Sequence, residues 1–155
     1  MNEIIEIKGD LIKLAKEGKF NVIVHGANCF NTMGAGIAKQ IKEHFPQAWE
    51  EDQKTLKADI RKLGNFSAVS IGYDWGVLHV VNAYTQYHYS VKEKPFDYEA
   101  FTIVLRKINK IFKGMKIGIP QIGAGLAGGD WNKIKKIIKN ELTDVKPIIV
   151  YYENI

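Results

Sequence analysis

One glycine-rich stretch limits the folds open to this chain more than any other feature. It comprises residues 120–129, PQIGAGLAGG, and lies between an apolar run at 117–119 and a helical pattern that begins near Lys133. Glycines leave few side chains to pack, so the backbone itself can approach a ligand. Amide N–H groups at the entrance to a helix form a concave site for an anion, most often a phosphate. The stretch therefore predicts a strand, a phosphate-binding loop and a helix, in that order.

A second loop of the same type lies upstream. Residues 26–36, GANCFNTMGAG, follow an apolar run at 22–24 and precede a helical pattern that contains Ile37 and Ile41. In open α/β sheets, ligands bind outside the carboxyl ends of the strands, and both loops leave their strands at that edge. Two such loops in one chain predict a cradle for two linked phosphates, as in a nucleoside diphosphate.

Apolar runs and helical patterns alternate along the rest of the chain. One hairpin, with strands at 66–71 and 77–82, interrupts this alternation, and residues 83–96 are predicted to form a polar, aromatic loop. Three further strands are predicted at 4–7, 115–119 and 148–152, and helices near 11–17, 34–45, 46–56, 97–113 and 132–142. The pattern predicts one domain over residues 1–155, an α/β fold. Its expected architecture is a three-layer α/β/α sandwich with a mixed, mainly parallel central sheet.

Charge and cysteine content narrow the functional classes. The net charge is +5, and of the 22 Lys and Arg residues only Arg61 and Arg106 are arginines. Because arginine dominates bidentate phosphate and base recognition, the lysines favour a solvated surface over a nucleic-acid patch, although a positive field would attract an anionic small ligand. One cysteine allows no internal disulfide, which favours a cytoplasmic location, and no apolar run reaches membrane-spanning length.

Two common nucleotide-binding motifs fit poorly. Residues 123–128 match the letters GxGxxG, but a dinucleotide-binding unit needs that motif early, with an acidic residue about twenty positions later at the end of the next strand. Here one further strand follows, and it ends at Tyr151 and Tyr152. A P-loop would need GKS or GKT, which the sequence lacks.

Four segments, taken together, resemble the successive signatures of a macrodomain, the ADP-ribose-binding fold. They are KGDL at 8–11, HGAN at 25–28, MGAGIA at 33–38 and PQIGAGL at 120–126. The likeness extends over nearly the whole chain. Within the family, the segments at 28–36 and 125–131 look most like the small stand-alone branch. That branch includes ADP-ribose 1″-phosphate phosphatases, some of them encoded by phages, and the terminal ADP-ribose protein glycohydrolases.

The resemblance implies a binding role for each matched position. Asp10 would accept a hydrogen bond from the adenine amino group, and Asn28 would hold the distal ribose. Tyr151 or Tyr152 would stack on the adenine, and strand alternation allows only one of them to face the site. Plainer roles remain open, because Asp10 can simply cap a helix and Asn28 can simply form a turn. The predicted ligand-binding residues are Asp10, Leu11, Asn28, Asn31, Met33, Gly34, Ala35, Gly36, Ile37, Gln121, Gly123, Ala124, Gly125, Leu126 and Tyr151.

The candidate catalytic residues are His25 and Asp130. A histidine at the position of His25 is associated with activity in the phosphatase branch, but a buried histidine bonded to the backbone would fit the same position. Asp130 could orient water, or could only cap the helix that follows it. Cys29 could be a nucleophile, but it has no assignable orienting residue. No metal site is predicted from the histidine spacing, and no cofactor is expected.

Two departures from the glycohydrolase branch bear on the reaction. That branch has a lysine near the end of the strand after the hairpin, where this chain has residues 82–86, NAYTQ, and an aspartate directly after the glycine loop, where this chain has Ala127. Both absences argue against the lysine-dependent release of ADP-ribose from glutamate. We expect Asn82, Tyr84 and Gln86 to line the distal-ribose end instead. The resemblance implies ADP-ribose binding with hydrolysis of ADP-ribose 1″-phosphate. The alternatives are a non-catalytic reader of ADP-ribose or of ADP-ribosylated protein, and a hydrolase that removes ADP-ribose from modified proteins.

Overall fold

A mixed sheet forms the centre of the protein in a computed structural model, which describes residues 3–90, 92, 95–125 and 127–154. In this part of the chain the sheet has six strands, in the order β1-β6-β5-β2-β4-β3, and only the β3–β4 pair is antiparallel. The strands are β1 (Ile5–Gly9), β2 (Val22–Asn28), β3 (Phe66–Tyr73), β4 (Gly76–Gln86), β5 (Lys116–Ile119) and β6 (Lys146–Tyr152). The predicted mixed, mainly parallel sheet is therefore confirmed.

Helices cover both faces of the sheet. They are α1 (Leu11–Lys16), α2 (Gly36–His44), α3 (Pro46–Gln53), α4 (Tyr98–Ile111) and α5 (Trp131–Glu141). One core cluster joins α4 and α5 to Val22 and Val24, while another joins α1, α2 and α3 to Ile23. Because successive residues of β2 pack into different layers, the strand is apolar at nearly every position. The three-layer α/β/α prediction is confirmed.

The order of the strands creates a crevice at one edge of the sheet. β2 and β5 are parallel neighbours, so their carboxyl ends lie side by side. The chain leaves β2 toward α2 in one layer and leaves β5 toward α5 in the other layer. Connections that diverge in this way open a space between them, which is where α/β proteins bind ligands.

One local prediction was wrong, and one short helix was missed. β4 continues through Gln86, so residues 83–86 are part of the sheet and not of a loop. They pair with the end of β2, and the register shifts by one residue between Ala27 and Asn28. A short 3₁₀ helix, Ile60–Lys62, which the sequence pattern did not predict, begins at a cap formed by Asp59. No helix in the described ranges is long and apolar enough to span a membrane.

Two isoleucines of α4 provide a test of the layered core. Ile108 is fully buried, whereas Ile111, one turn later, is 60% exposed. We expect Ile108→Ala to lower the free energy of unfolding by about 2–5 kcal/mol, because it leaves a cavity in the core, and Ile111→Ala to change it by about 0.5 kcal/mol or less. Urea denaturation of both variants measures the difference. Equal losses of stability would contradict the burial of Ile108 and the exposure of Ile111.

Candidate ligand-binding cleft

The two glycine loops line one cleft. This main cleft has a volume of about 410 Å³, and both the start of α2 (Gly36 and Ile37) and the second loop (Gly123 and Gly125) form its walls. A side hollow of about 290 Å³ adjoins it, and the two share Gly26, Gln86 and Ala127. The structure therefore brings the two loops together, as the sequence predicts.

The start of α2 presents backbone amides to this space. Its N-cap residue is Ala35, which has no side chain that could accept the free N–H groups of the first turn. A Cβ added at Gly34 or Gly125 would meet no atom within 4 Å, so both residues border open space. Unpaired amides at a helix start carry partial positive charge and are suited to an anion.

The second loop packs against an aromatic ring of the core. Gly123 has φ 73°, a conformation that favours glycine, and a Cβ at this position would collide with the ring of Phe96. The loop also closes on itself, because the Gly129 N–H donates to the Gly123 carbonyl at 2.6 Å. The Phe96 N–H donates to the Ala127 carbonyl at 3.2 Å. These contacts define the conformation of Gly123, Ala127 and Gly129.

The last strand resolves the choice between two tyrosines. Tyr152 is 69% exposed and lines the main cleft. Tyr151 lies on the opposite face of β6, where its hydroxyl donates to Glu6 at 2.6 Å and accepts from the Trp131 indole at 3.1 Å. The placement predicted for Tyr151 is therefore corrected to Tyr152, because side chains alternate along a strand.

Asp10 and Leu11 lie near Tyr152, at the end of β1, but neither lines the cleft. Gly9 pairs with Tyr152 in the sheet. One Asp10 carboxylate oxygen accepts from the Ile12 and Lys13 amides and so caps α1. Leu11 is buried in the core. The capping role of Asp10 is visible in the structure, and adenine recognition stays a prediction.

Of the polar residues predicted in the first loop, one reaches the side hollow. Asn28 lines it, with its amide nitrogen donating to the Thr32 hydroxyl at 2.8 Å. The side chain of Asn31 turns away and donates to the Thr55 carbonyl at 2.9 Å. Met33 is buried in the core beneath α2. Asn31 and Met33 can therefore contribute only backbone groups to a ligand in this conformation.

In the second loop, the structure places Gln121, Gly123 and Gly125 along the main cleft, whereas Ala124 does not line it. Leu126, also predicted to bind the ligand, lies outside the described residues.

His25 is buried on the α3 side of the sheet, away from the cleft. Its Nε2 lies 2.6 Å from the Asn82 amide oxygen. Because the Asn82 amide nitrogen donates to Ala48 and Ser67, its oxygen accepts, and we assign the proton to His25 Nε2. Burial lowers the pKa of His25 to about 4. This geometry does not bring the predicted base to a ligand in the cleft.

The other two catalytic candidates also lie apart from the cleft. Asp130 is exposed and caps α5, where it accepts from the Asn132 amide at 3.0 Å. Cys29 is buried, and burial raises the pKa of its thiol to about 11, which leaves the thiol protonated and unreactive near neutral pH. Neither residue lines the main cleft or the side hollow.

The end of β4 supplies site residues that the sequence indicated only in part. Gln86 lines both spaces, as expected, and its amide nitrogen donates to the His88 carbonyl at 2.9 Å. Asn82 and Tyr84, also expected there, face α3 instead and bond to Ala48 and to Asp52. Thr85 was not predicted; it lines the main cleft, and its buried hydroxyl has no partner among the described residues. An unpaired buried hydroxyl is a signal that only the folded structure provides.

Comparisons with known proteins agree with this arrangement. Residues 24–138 match the family model described as Macro domain. An uncharacterized 17.5 kDa protein of Enterobacteria phage T4 is 34% identical over 152 residues, 95% of each chain. The DNA ADP-ribosyl glycohydrolase of Mycobacterium tuberculosis is 27% identical over 144 residues, which are 91% of this chain but only 40% of that protein.

Solved structures share the fold. The macrodomain of Mycobacterium tuberculosis DarG has a TM-score of 0.73 and 24% identity, over 97% of this chain and 98% of that chain. Thermosipho africanus DarTG, solved in complex with ADP-ribose, has a TM-score of 0.77 and 17% identity, over 99% of this chain and 42% of that chain. At these identities the likeness establishes the fold alone.

The buried His25 leads to a pH-dependence of stability. Its pKa in the folded protein, about 4, lies below the 6.5 of an exposed histidine, so the unfolded chain binds the extra proton as the pH falls below 6.5. The free energy of unfolding should therefore decrease between pH 6.5 and pH 4, by up to about 1.4 kcal/mol per pH unit from this group. We expect His25→Gln to flatten that part of the profile in urea denaturation. An unchanged slope would contradict the assignment.

Proposed function

This chain belongs to the macro domain family, and from that premise we propose that it binds ADP-ribose in the main cleft. The observation that carries the proposal is the shared cleft, in which the uncapped start of α2 and the preformed glycine loop face one another. Backbone N–H groups on two sides can surround both phosphates of a diphosphate without any charged side chain. The Thermosipho africanus and Trypanosoma brucei relatives were solved in complex with ADP-ribose.

The residues at the two ends of the cleft favour one orientation of ADP-ribose. Tyr152 offers an exposed ring at the end nearest to Asp10, which suits an adenine. The side hollow, with the amides of Asn28 and Gln86, suits the polar distal ribose. Between them, Gly36 and Gly125 leave room for the diphosphate.

We further infer hydrolysis of a bond at the distal ribose. ADP-ribose 1″-phosphate is the predicted substrate. Water would attack its terminal phosphorus, and the bond between that phosphorus and the oxygen on C1″ would break. The oxygen on C1″ would take up a proton from the water, which leaves ADP-ribose and phosphate. Among the described residues lining the side hollow, only Tyr89 has a titratable side chain, so water would be oriented by the amides of Asn28 and Gln86. This limits the rate that we expect, because no well-placed general base contributes.

A second candidate substrate carries a nucleobase on the distal ribose. Phe30, Tyr87, His88 and Tyr89 form an aromatic cluster beside the side hollow, with the rings of His88 and Tyr89 stacked at 4.3 Å between centroids. Tyr89 lines the hollow and is 56% exposed. An exposed aromatic face binds an unpaired base by stacking. The mycobacterial relative is named a DNA ADP-ribosyl glycohydrolase, so ADP-ribosylated DNA belongs in the same assay as ADP-ribosylated protein.

The cradle can be tested with a charge inserted at its wall. Gly125→Glu should abolish ADP-ribose binding, because the added side chain has room and carries negative charge next to the phosphates. Gly72→Glu is the matched control, since Gly72 also borders open space but lies in the β3–β4 hairpin. Calorimetric titration with ADP-ribose measures both. If Gly125→Glu retains wild-type affinity, the ligand binds elsewhere.

The substrate can be tested with two variants and three compounds. We expect Tyr89→Ala to lower kcat/KM for an ADP-ribosylated single-stranded oligonucleotide by about tenfold, the loss of one stacking contact, and to leave release of phosphate from ADP-ribose 1″-phosphate unchanged. Tyr152→Ala should weaken the binding of both, because both contain adenine.

The comparison of products then decides between the candidates. Phosphate release alone supports the phosphatase, and cleavage of the modified oligonucleotide supports the nucleobase-linked substrate. Release from a modified protein supports the protein hydrolase. Tight binding of ADP-ribose with none of these products makes the protein a reader.

A further inference from the structure

One lysine is buried behind the first glycine loop without a carboxylate partner. Lys62 is 9% exposed, and none of the ion pairs within the described ranges includes it. Its Nζ lies 4.9 Å from the centroid of the Tyr84 ring. The nearby Asp52 carboxylate accepts from the Tyr84 hydroxyl at 2.7 Å instead. A buried ammonium costs stability unless its protons are bonded, so its contacts indicate what the protein gains from it.

Lys62 donates to two groups, and both belong to the first loop. Its Nζ lies 2.6 Å from the Asn31 side-chain oxygen and 3.1 Å from the Cys29 carbonyl oxygen. Asn31 has φ 57°, a left-handed conformation that asparagine adopts more readily than most other residues with a side chain. Its amide nitrogen donates to the Thr55 carbonyl at 2.9 Å. The turn is therefore held by the Asn31 side chain, and Lys62 provides the charged contact.

The opposite side of the same turn faces the side hollow. Asn28 and Thr32 flank residues 29–31, and both line that hollow. The Asn28 amide nitrogen donates to the Thr32 carbonyl at 3.1 Å and to its hydroxyl at 2.8 Å, and its oxygen accepts from the Phe30 N–H at 2.8 Å. A change in the turn would therefore move the polar groups that line the hollow.

We propose that Lys62 is a positioning residue for recognition of the distal ribose. It acts through the turn at residues 29–31, and so fixes Asn28 and Thr32 without touching the ligand. The inference rests on the proposed binding of ADP-ribose in the main cleft. The diphosphate is surrounded by other groups, the start of α2 and the loop at 120–125, which Lys62 does not contact. Lys62 thus sets the preference for ADP-ribose over ADP.

The experiment compares ADP-ribose with ADP, which lacks the distal ribose and has one more ionisable phosphate oxygen in its place. Lys62→Met removes the charge and keeps much of the side-chain length, so Asn31 and the Cys29 carbonyl lose their charged donor and keep only neutral ones. By calorimetry, affinity for ADP-ribose should fall about tenfold, as for one hydrogen bond to the distal ribose lost when Asn28 or Thr32 is displaced, while affinity for ADP stays within about twofold. Lys54→Met is the matched control, because Lys54 is exposed and lies near the same loop. It should leave both affinities unchanged.

A second variant covers the case in which Lys62→Met does not fold. Asn31→Gly suits the left-handed backbone but removes the side chain that Lys62 holds, and it should also lower the ratio of ADP-ribose to ADP affinity. A role in folding alone would lower the melting temperature of these variants and leave the ratio at the wild-type value, which would overturn the proposal. If the wild-type protein binds neither ligand, the proposed function fails, and that outcome is separate from a changed ratio.

Discussion

The backbone amides at the start of α2 are the constraint on which the site depends. Helix starts carry free N–H groups, and most proteins satisfy them with a capping side chain, as Asp10, Asp97 and Asp130 do here for α1, α4 and α5. α2 has Ala35 in that position and so leaves its donors available. The small residues Gly34 and Gly125 border open space and keep these amides accessible.

A buried polar layer lies on the α3 side of the sheet and supports this edge. His25 bonds to Asn82, Asn82 bonds to Ala48 of α3, and Tyr84 bonds to Asp52 and to Ser67. Such groups are costly to bury unless each finds a partner, so they fix one arrangement of the strand ends. The ends of β2 and β4 are thereby held in place, and the loops that leave them begin from defined positions.

The sequence was sufficient to predict the fold and the convergence of the two loops. Apolar runs and glycine spacing are local patterns, and they determine where strands, loops and helices form. It was insufficient wherever a role depends on the face of a strand. Tyr151 and Tyr152 differ by one position and face opposite layers, and His25 lies in the buried layer although its neighbour Gly26 borders the cleft. The role of Lys62 could not be predicted, because the sequence does not distinguish a buried lysine from an exposed one.

The ring of Phe96 beneath Gly123 has a consequence for the kinetics of binding. A loop that must order itself around its ligand slows association and loses conformational entropy in the complex. Here Gly123 packs against a ring of the aromatic core, so on that side a ligand meets backbone whose conformation is set by folding. The association rate should then depend on diffusion and on the electrostatic field of the lysine-rich surface. Differences in affinity among related ligands should arise mainly from their dissociation rates.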